Sequence, residues 1–394
     1  FPCLLMSVTL LKGQKHAWFL GLMLSSMVAV GGFHWIIYVA QNFGDLPLPL
    51  AFGLLMLFCL VAAPQMLAFL LLGEMLRSKI ELLSPSLRVF FWASLYVSLE
   101  YLARLVKIFP ENLGNTWVAF SSISQVAALG GVPLLSFLPI VLGAAFFYLR
   151  REGVRALPAL MVAIGLLCGA QLWGVREKKR LAQVPTETIR IGFIQHNMDD
   201  AEKRFARTST HEVVGTIVGR LIQKSRELAR TKPAPDLILW AETSYPMVFP
   251  TSPASRKLGN FSYGYANLLK DAAAEIGIPI LFGGYANERE KDFNAGILLG
   301  KNGEVLDRYL KQVLLIFGEY FPMDQWFPQL KQLNPMMGDF GRGPGAVPVS
   351  FPWKGHSLLL GVNICYEAIL PEYMRGYAQK GARLFVNQIG RAHV

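Results

Sequence analysis

Three residues able to do acyl chemistry stand at or beside the ends of apolar runs in the second half of the chain. Glu242 follows Asp236-Leu237-Ile238-Leu239-Trp240-Ala241, Lys311 lies in Tyr309-Leu310-Lys311-Gln312, and Cys365 follows Gly361-Val362-Asn363-Ile364. The reactive form of cysteine is the thiolate, which an ordinary thiol scarcely populates near neutrality. A catalytic Cys365 therefore needs a base and an oxyanion stabiliser from elsewhere in the chain. A carboxylate at 242 can take the thiol proton. An ammonium at 311, with the backbone N–H of Tyr366, can hold the oxygen of a tetrahedral intermediate. Charges at the ends of buried strands are costly unless paired, and convergence of Glu242 with Lys311 would satisfy both. Taken singly, a strand-end Glu, a loop Lys and a strand Cys are each more often structural.

No other chemistry competes. Cys3, Cys59 and Cys168 lie in apolar stretches, and Cys365 is alone in the polar half, so no disulfide framework exists there. His16, His34, His196, His211, His356 and His393 have no metal-ligand spacing, and no metal or cofactor is expected. Gly283-Gly284 and the glycines from Gly341 to Gly345 lack a phosphate-loop context and read as turns.

The elements that must position these residues divide in two. Of 38 Lys/Arg and 27 Asp/Glu, residues 1–175 hold only 10 and 6, which leaves an ordinary soluble balance to the remainder. After an apolar tail at 1–11, stretches at about 17–40, 47–76, 87–106 and 155–174, with one at 120–149 broken by Gly130-Gly131 and Pro133, are each long enough to span a ~30 Å hydrocarbon core. Residues 1–175 are thus expected to be a transmembrane helix bundle. Lys12, Lys15, Arg77, Lys79, Arg88, Arg150, Arg151 and Arg155 gather on one side of the alternating spans, against Arg104 and Lys107 on the other. The positive-inside rule puts the first set in the cytoplasm and everything after residue 175 outside. Arg176, Lys178, Lys179 and Arg180 oppose this, but they precede a long exported domain. The net charge of +11 has no clustered basic-aromatic face. It suits anionic lipid head groups better than nucleic acid. Glu100 and Arg104, at i and i+4, are placed to pair on one helix face.

From residue 188 strands alternate with helices. Strands are expected at 189–194, 236–242, 279–286, 294–299, 357–365 and 383–387, and helices at about 210–230, 264–276 and 371–380. This is the pattern of an α/β layered domain over 188–394, and the close pair at 279–299 makes its sheet mixed.

Glu242, Lys311 and Cys365 in this order, with Leu239-Trp240-Ala241, Phe317-Gly318-Glu319-Tyr320-Phe321-Pro322 and Ile364-Cys365-Tyr366-Glu367 around them, resemble the nitrilase superfamily. The membrane half narrows the likeness to the bacterial apolipoprotein N-acyltransferases. Phe293-Asn294, Gly341-Arg342-Gly343-Pro344, Phe33-His34-Trp35 and Phe43-Gly44 add to it. The resemblance implies a membrane α-helical bundle joined to an αββα sandwich, and a bacterial inner-membrane, multi-pass protein with its catalytic domain in the periplasm. It implies transfer of a fatty acyl chain from a phospholipid, through a thioester on Cys365, to the α-amine of a diacylglyceryl apolipoprotein. A monomer with no nucleic-acid partner is expected. Glu319 is read as orienting Lys311 or as a second acid/base group, and Glu367 as supporting the Cys365 turn. Phe205 loosely matches an aromatic lid. The chain departs from the family pattern at Ala241 and at Leu315-Ile316. Both ends read as cut, and the residues after Asn387 are set aside.

Two other functions are compatible with parts of this pattern. A membrane-tethered amidase or carbamoylase would use the same three residues on a small soluble substrate, though a tether needs only one helix. A transporter with a ligand-binding exported domain would use the spans, but no internal repeat is evident.

Overall fold

The computed structural model describes residues 6, 8, 13–44, 46–105, 109, 112–195, 211–251, 260–288, 291–316, 319–320 and 340–390. Phe205 and the flanks Phe317-Gly318 and Phe321-Pro322 lie outside the described residues. The chain forms two compact units, Phe1–Thr186 and Glu187–Val394.

The first unit is helical: α1 Gln14–Phe33, α2 Trp35–Gly44, α3 Leu48–Ala62, α4 Pro64–Ile80, α5 Pro85–Ala103, α6 Ala127–Glu152 and α7 Leu157–Ala182. Two of the apolar stretches are thus pairs of helices. The first is interrupted at His34. The second breaks at Ala63, where Pro64 begins a new helix, and its two arms bend by 45°. In the 120–149 stretch the break falls at Gly130 and Gly131, as their spacing predicts; Gly131 has φ 67°. Gln14–Phe33 and the 60-residue run Ile123–Ala182 are long and apolar enough to cross a membrane, and the bent pair Leu48–Cys59 with Pro64–Ile80 makes a third candidate.

Small residues carry the contacts of α1, and large side chains such as Phe69, Trp92, Tyr96 and Tyr148 fill the core beside it. In α1 the buried face is Ala17, Gly21, Ser25, Ala29 and Phe33, one residue per turn. A Cβ on Gly21 would stand 2.7 Å from the Cα of Leu67, so only glycine allows α1 to cross α4 this closely. The outward side chains are apolar instead of polar, among them Met27, Leu57, Met161 and Leu172. That inversion of a soluble surface is what a hydrocarbon surround requires. Glu100, buried in α5, accepts hydrogen bonds from the Leu113 N–H at 2.8 Å and from the Ser136 hydroxyl. The Arg104 guanidinium lies 3.5 Å over the Tyr101 ring.

The second unit has two sheets. The larger runs β1 Ile191–Ile194, β2 Leu237–Trp240, β4 Ile280–Glu288, β5 Lys291–Leu299, β6 Val305–Leu310, with β3 Val248–Phe249 beside β4. β1, β2 and β4 are parallel, whereas β4–β5 and β5–β6 are antiparallel, so the mixed sheet expected from 279–299 is present. The smaller sheet is β7 Val349–Trp353, β8 His356–Ile364 and β9 Leu384–Gln388. Helices α8 His211–Ala229, α9 Asn260–Ile276 and α10 Pro371–Gln379 complete it.

Strand periodicity sorts the core. On β2, Ile238 and Trp240 point to a cluster shared with Val214, Ile217, Val218 and Leu221 of α8 and Leu269 of α9. Leu237 and Leu239 point the other way, to Val349, Phe351, Leu360, Val362 and Ile364 of the second sheet. A strand buried on both faces reads as a continuous apolar run. Trp240 also donates its indole N–H to the buried Ser225 hydroxyl at 3.0 Å, which anchors α8.

Gly283 on β4 shows how tightly the end of β2 is held. A Cβ there would meet the Ala241 carbonyl and the Glu242 Cα at 2.6 Å, both immovable backbone. At Gly284 the corresponding contact is 3.2 Å. Gly283→Ala is therefore expected to destabilise the second unit by about 1–3 kcal/mol through overpacking. Gly284→Ala should lower the thermal midpoint much less, and equal midpoints would refute the reading.

Candidate active site

Glu242 stands one residue past β2, Lys311 directly past β6, and Cys365 directly past β8. β6 runs parallel to β2, because two antiparallel steps separate it from β4. The first two residues therefore leave the large sheet at the same end. The turns at two of these strand ends take left-handed backbone angles rare for residues with a side chain: Thr243 at φ 47° and Cys365 at φ 54°. Such strain persists only where the surroundings hold it.

Lys311 is 1 % exposed, and a buried ammonium needs partners. Its Nζ lies 2.8 Å from both carboxylate oxygens of Glu319 and 3.7 Å from Oε1 of Glu242. The sequence expectation that Glu242 and Lys311 converge is met, but Glu319 is the nearer partner. Asn294 on β5 joins the two acids, donating Nδ2 to Glu242 at 2.9 Å and to Glu319 at 3.1 Å. Asn294 appears in the sequence only as a motif residue. Its alternation with Ala295 and Ile297, which face the helices, places it on the face towards the second sheet.

The two acids differ in hydrogen-bond capacity. A carboxylate has about four lone-pair sites. Glu319 fills its own with two contacts to Lys311, one from Asn294 and one from the Leu315 N–H at 2.9 Å. Glu242 accepts from Asn294 and from the Gly390 N–H at 3.1 Å, and retains sites for a proton.

Cys365 is half-buried at the opening of a short 3₁₀ turn, Cys365–Ile369. Burial pushes its thiol up to about 11, with the Glu242 carboxylate adding to the rise; Lys311 works against it, Glu319 adds to it, and the Tyr366 N–H bonded to the sulfur opposes it. The charges of Glu242, Lys311 and Glu319 thus all act on the sulfur. For Lys311, burial disfavours the charge, yet Glu242 and then Glu319 outweigh it and hold the ammonium above its ordinary range.

Glu367 faces away from this cluster. It is fully buried and accepts from the N–H groups of Gln312, Val313 and Ile364, each at 2.9 Å, and from the Tyr309 hydroxyl at 2.7 Å. A groove of about 660 Å³ bounded by Lys291, Phe293, Arg308, Leu310, Arg342 and Val347 runs alongside, but Glu242, Lys311 and Cys365 do not line it.

An apolar helical unit joined to a mixed-sheet α/β domain, with a Glu, a Lys and a Cys at its strand ends, defines the class: a membrane protein carrying a nitrilase-superfamily domain. Residues 1–145 match the apolipoprotein N-acyltransferase N-terminal domain, and residues 197–394 match the carbon-nitrogen hydrolases. The apolipoprotein N-acyltransferase of Geobacter metallireducens is 31% identical over 393 residues, covering 95% of this chain and 69% of the relative. That of Bdellovibrio bacteriovorus is 28% identical over 386 residues, 95% and 68% respectively. The chain belongs to the apolipoprotein N-acyltransferase family. Among solved structures, an amidase from Nesterenkonia sp. overlaps 52% of this chain and 66% of its own at 18% identity and a TM-score of 0.36. That correspondence is too partial to bear on function.

The rate of Cys365 alkylation by iodoacetamide is expected to rise with pH to a midpoint near 11, because burial disfavours the thiolate. In Lys311→Met the midpoint should move higher still, since the one favourable charge is lost. The same change leaves two carboxylates without their cation and is expected to cost about 3–5 kcal/mol of stability. A wild-type midpoint at the ordinary thiol value would contradict the burial argument.

Proposed function

We propose that this chain transfers a fatty acyl group from a membrane phospholipid to the α-amino group of the N-terminal S-diacylglyceryl-cysteine of apolipoproteins, through a thioester on Cys365. What carries the reading is the pairing, in one chain of this family, of an apolar helical unit with a domain whose Glu242, Lys311 and Cys365 share one charged cluster. Donor and acceptor both reside in lipid, so a reactive thiol beside the bilayer meets them by lateral diffusion. The catalytic domain lies in the periplasm, at the outer face of the bacterial inner membrane. The cationic side chains of the short loops 12–15, 77–88 and 150–155 mark the opposite side. All the proposed catalytic groups come from one chain, and a monomer suffices. The basic balance serves contact with lipid head groups and not nucleic acid.

Since burial holds the thiol neutral, a preformed thiolate is not the attacking species. Only about one thiol in ten thousand is ionised near neutrality when its pKa is about 11. Proton removal must accompany attack. Glu242 takes the proton as Sγ bonds to the ester carbonyl carbon, and the carbonyl oxygen becomes an oxyanion. The Lys311 ammonium and the Tyr366 N–H stabilise it. Collapse expels the lysophospholipid alkoxide, which leaves with the proton from Glu242, and the acyl group stays on sulfur. In the second half the acceptor amine attacks the thioester and loses a proton to Glu242. The sulfur departs and is reprotonated from the same carboxyl. Glu319, saturated with donors, holds Lys311 in place and moves no proton.

Protein in phospholipid vesicles is expected to gain one acyl mass on the peptide containing Cys365, and Cys365→Ala none. Glu242→Gln should keep the thiol but acylate about 10²–10⁴-fold more slowly. An equal adduct on Cys365→Ala, or hydrolysis of small amides faster than phospholipid turnover, would overturn the proposal.

A further inference from the structure

Behind the reactive cluster lies a second buried network, linking the segment after Lys311 to the turn of Cys365. Glu367 Oε1 takes the N–H groups of Gln312 and Val313, the two residues that follow Lys311. Its Oε2 takes the N–H of Ile364, the residue that precedes Cys365. Tyr309 OH stands 2.7 Å from both oxygens. One carboxylate thus fixes the backbone on either side of the gap between the ammonium and the thiol.

Donor counting defines how this is maintained. Three backbone N–H groups and the Tyr309 phenol suffice for the four lone-pair sites of Glu367, and the Tyr373 hydroxyl also reaches this carboxylate. Tyr309 has one hydroxyl hydrogen and spends it on Glu367. Its oxygen, 2.6 Å from the Tyr373 oxygen, must then accept from Tyr373. The donor chain runs Tyr373 to Tyr309 to Glu367. Tyr309 lies two residues before Lys311 on the same strand face and is 2% exposed, so its ring cannot move without moving β6. Tyr373, on α10, is half-buried. Burial and then the Glu367 charge hold Tyr309 well above the ordinary phenol range, and the same causes push Tyr373 up to about 12, so both remain donors.

We propose that Tyr309 and Tyr373 are positioning residues for acyl transfer: their hydroxyls hold the Glu367 carboxylate, which sets the separation of Lys311 from Cys365. This deepens the reading of Cys365 as the acyl carrier and rests on it.

The test uses Tyr309→Phe and Tyr373→Phe in vesicle-reconstituted protein, with two readouts. In Tyr309→Phe the maximal rate of Cys365 acylation is expected to fall about 10- to 100-fold, with KM for phospholipid unchanged, since a small displacement of reacting groups has that effect. Tyr373→Phe, which leaves Tyr309 as the main phenol donor to Glu367, should fall less. The alkylation profile of Cys365 distinguishes positioning from loosening. If Lys311 recedes, the thiol loses its favourable neighbour and the midpoint moves above the wild-type value. A merely loosened fold would expose the thiol and move the midpoint down toward the ordinary value. An unchanged rate and midpoint in both variants, or a downward shift, overturns the proposal. If Tyr309→Phe does not fold, Tyr373→Phe decides by the same two readouts. Absence of acylation in the wild type defeats the acyl-carrier reading instead, while the alkylation midpoints still report on the positioning.

Discussion

A buried ammonium governs this domain. Lys311 is almost wholly removed from solvent, and a charge in that position is tolerable only with carboxylates against it. Glu319 supplies two contacts and Glu242 a third, longer one. Asn294 then keeps the two like charges apart by donating to both. Remove any member and the others are stranded in a medium that cannot solvate them. The cluster is therefore set in place by its own electrostatics, the preorganisation that the proposed oxyanion role of Lys311 requires.

The thiol depends on this cluster but is not built from it. Cys365 belongs to the second sheet, and two ties bring that sheet's end to the first. Gln388 donates to the Trp240 carbonyl at 3.1 Å, and the Gly390 N–H reaches Glu242. Glu367 supplies the third tie from beneath. The left-handed backbone at Cys365 is sustained by these constraints, and its cost is recovered as orientation of the sulfur and of the Tyr366 N–H. Burial makes the resting thiol a weak nucleophile.

The helical unit follows different physics. Its exterior is apolar, and its interior combines a small-residue face on α1 with large buried side chains such as Phe69, Trp92, Tyr96 and Tyr148. Two breaks, at His34 and Ala63, divide stretches that hydropathy alone reads as continuous. The Gly130-Gly131 break was legible because glycine is a local signal, whereas the bend at Ala63 also depends on packing, with the Ser25 hydroxyl bonded to the Ala63 carbonyl at 2.8 Å.

The sequence by itself determined many of the elements and the residue types at their ends, but not β6 Val305–Leu310 or β7 Val349–Trp353, whose mixed polar and apolar residues gave no clear strand run. The run Leu237 to Trp240, the turn at Cys365 and the apolar stretches are local patterns, and burial of a strand or helix is written in its own periodicity. It also carried the family, through motifs around Glu242, Lys311 and Cys365. It assigned roles to the acids only through the resemblance, and left Glu319 open between orienting Lys311 and acting as a second acid/base group. Glu242, Glu319 and Glu367 look alike in one dimension, and what separates them is how many donors surround each. Those donors come from positions as distant as Asn294, 52 residues from Glu242, and Gly390, 148 residues from it. Hydrogen-bond saturation exists only after the two sheets have met. For the same reason Tyr309 entered the sequence reading only as a neighbour of Lys311, and only the tertiary structure set its hydroxyl against a buried carboxylate.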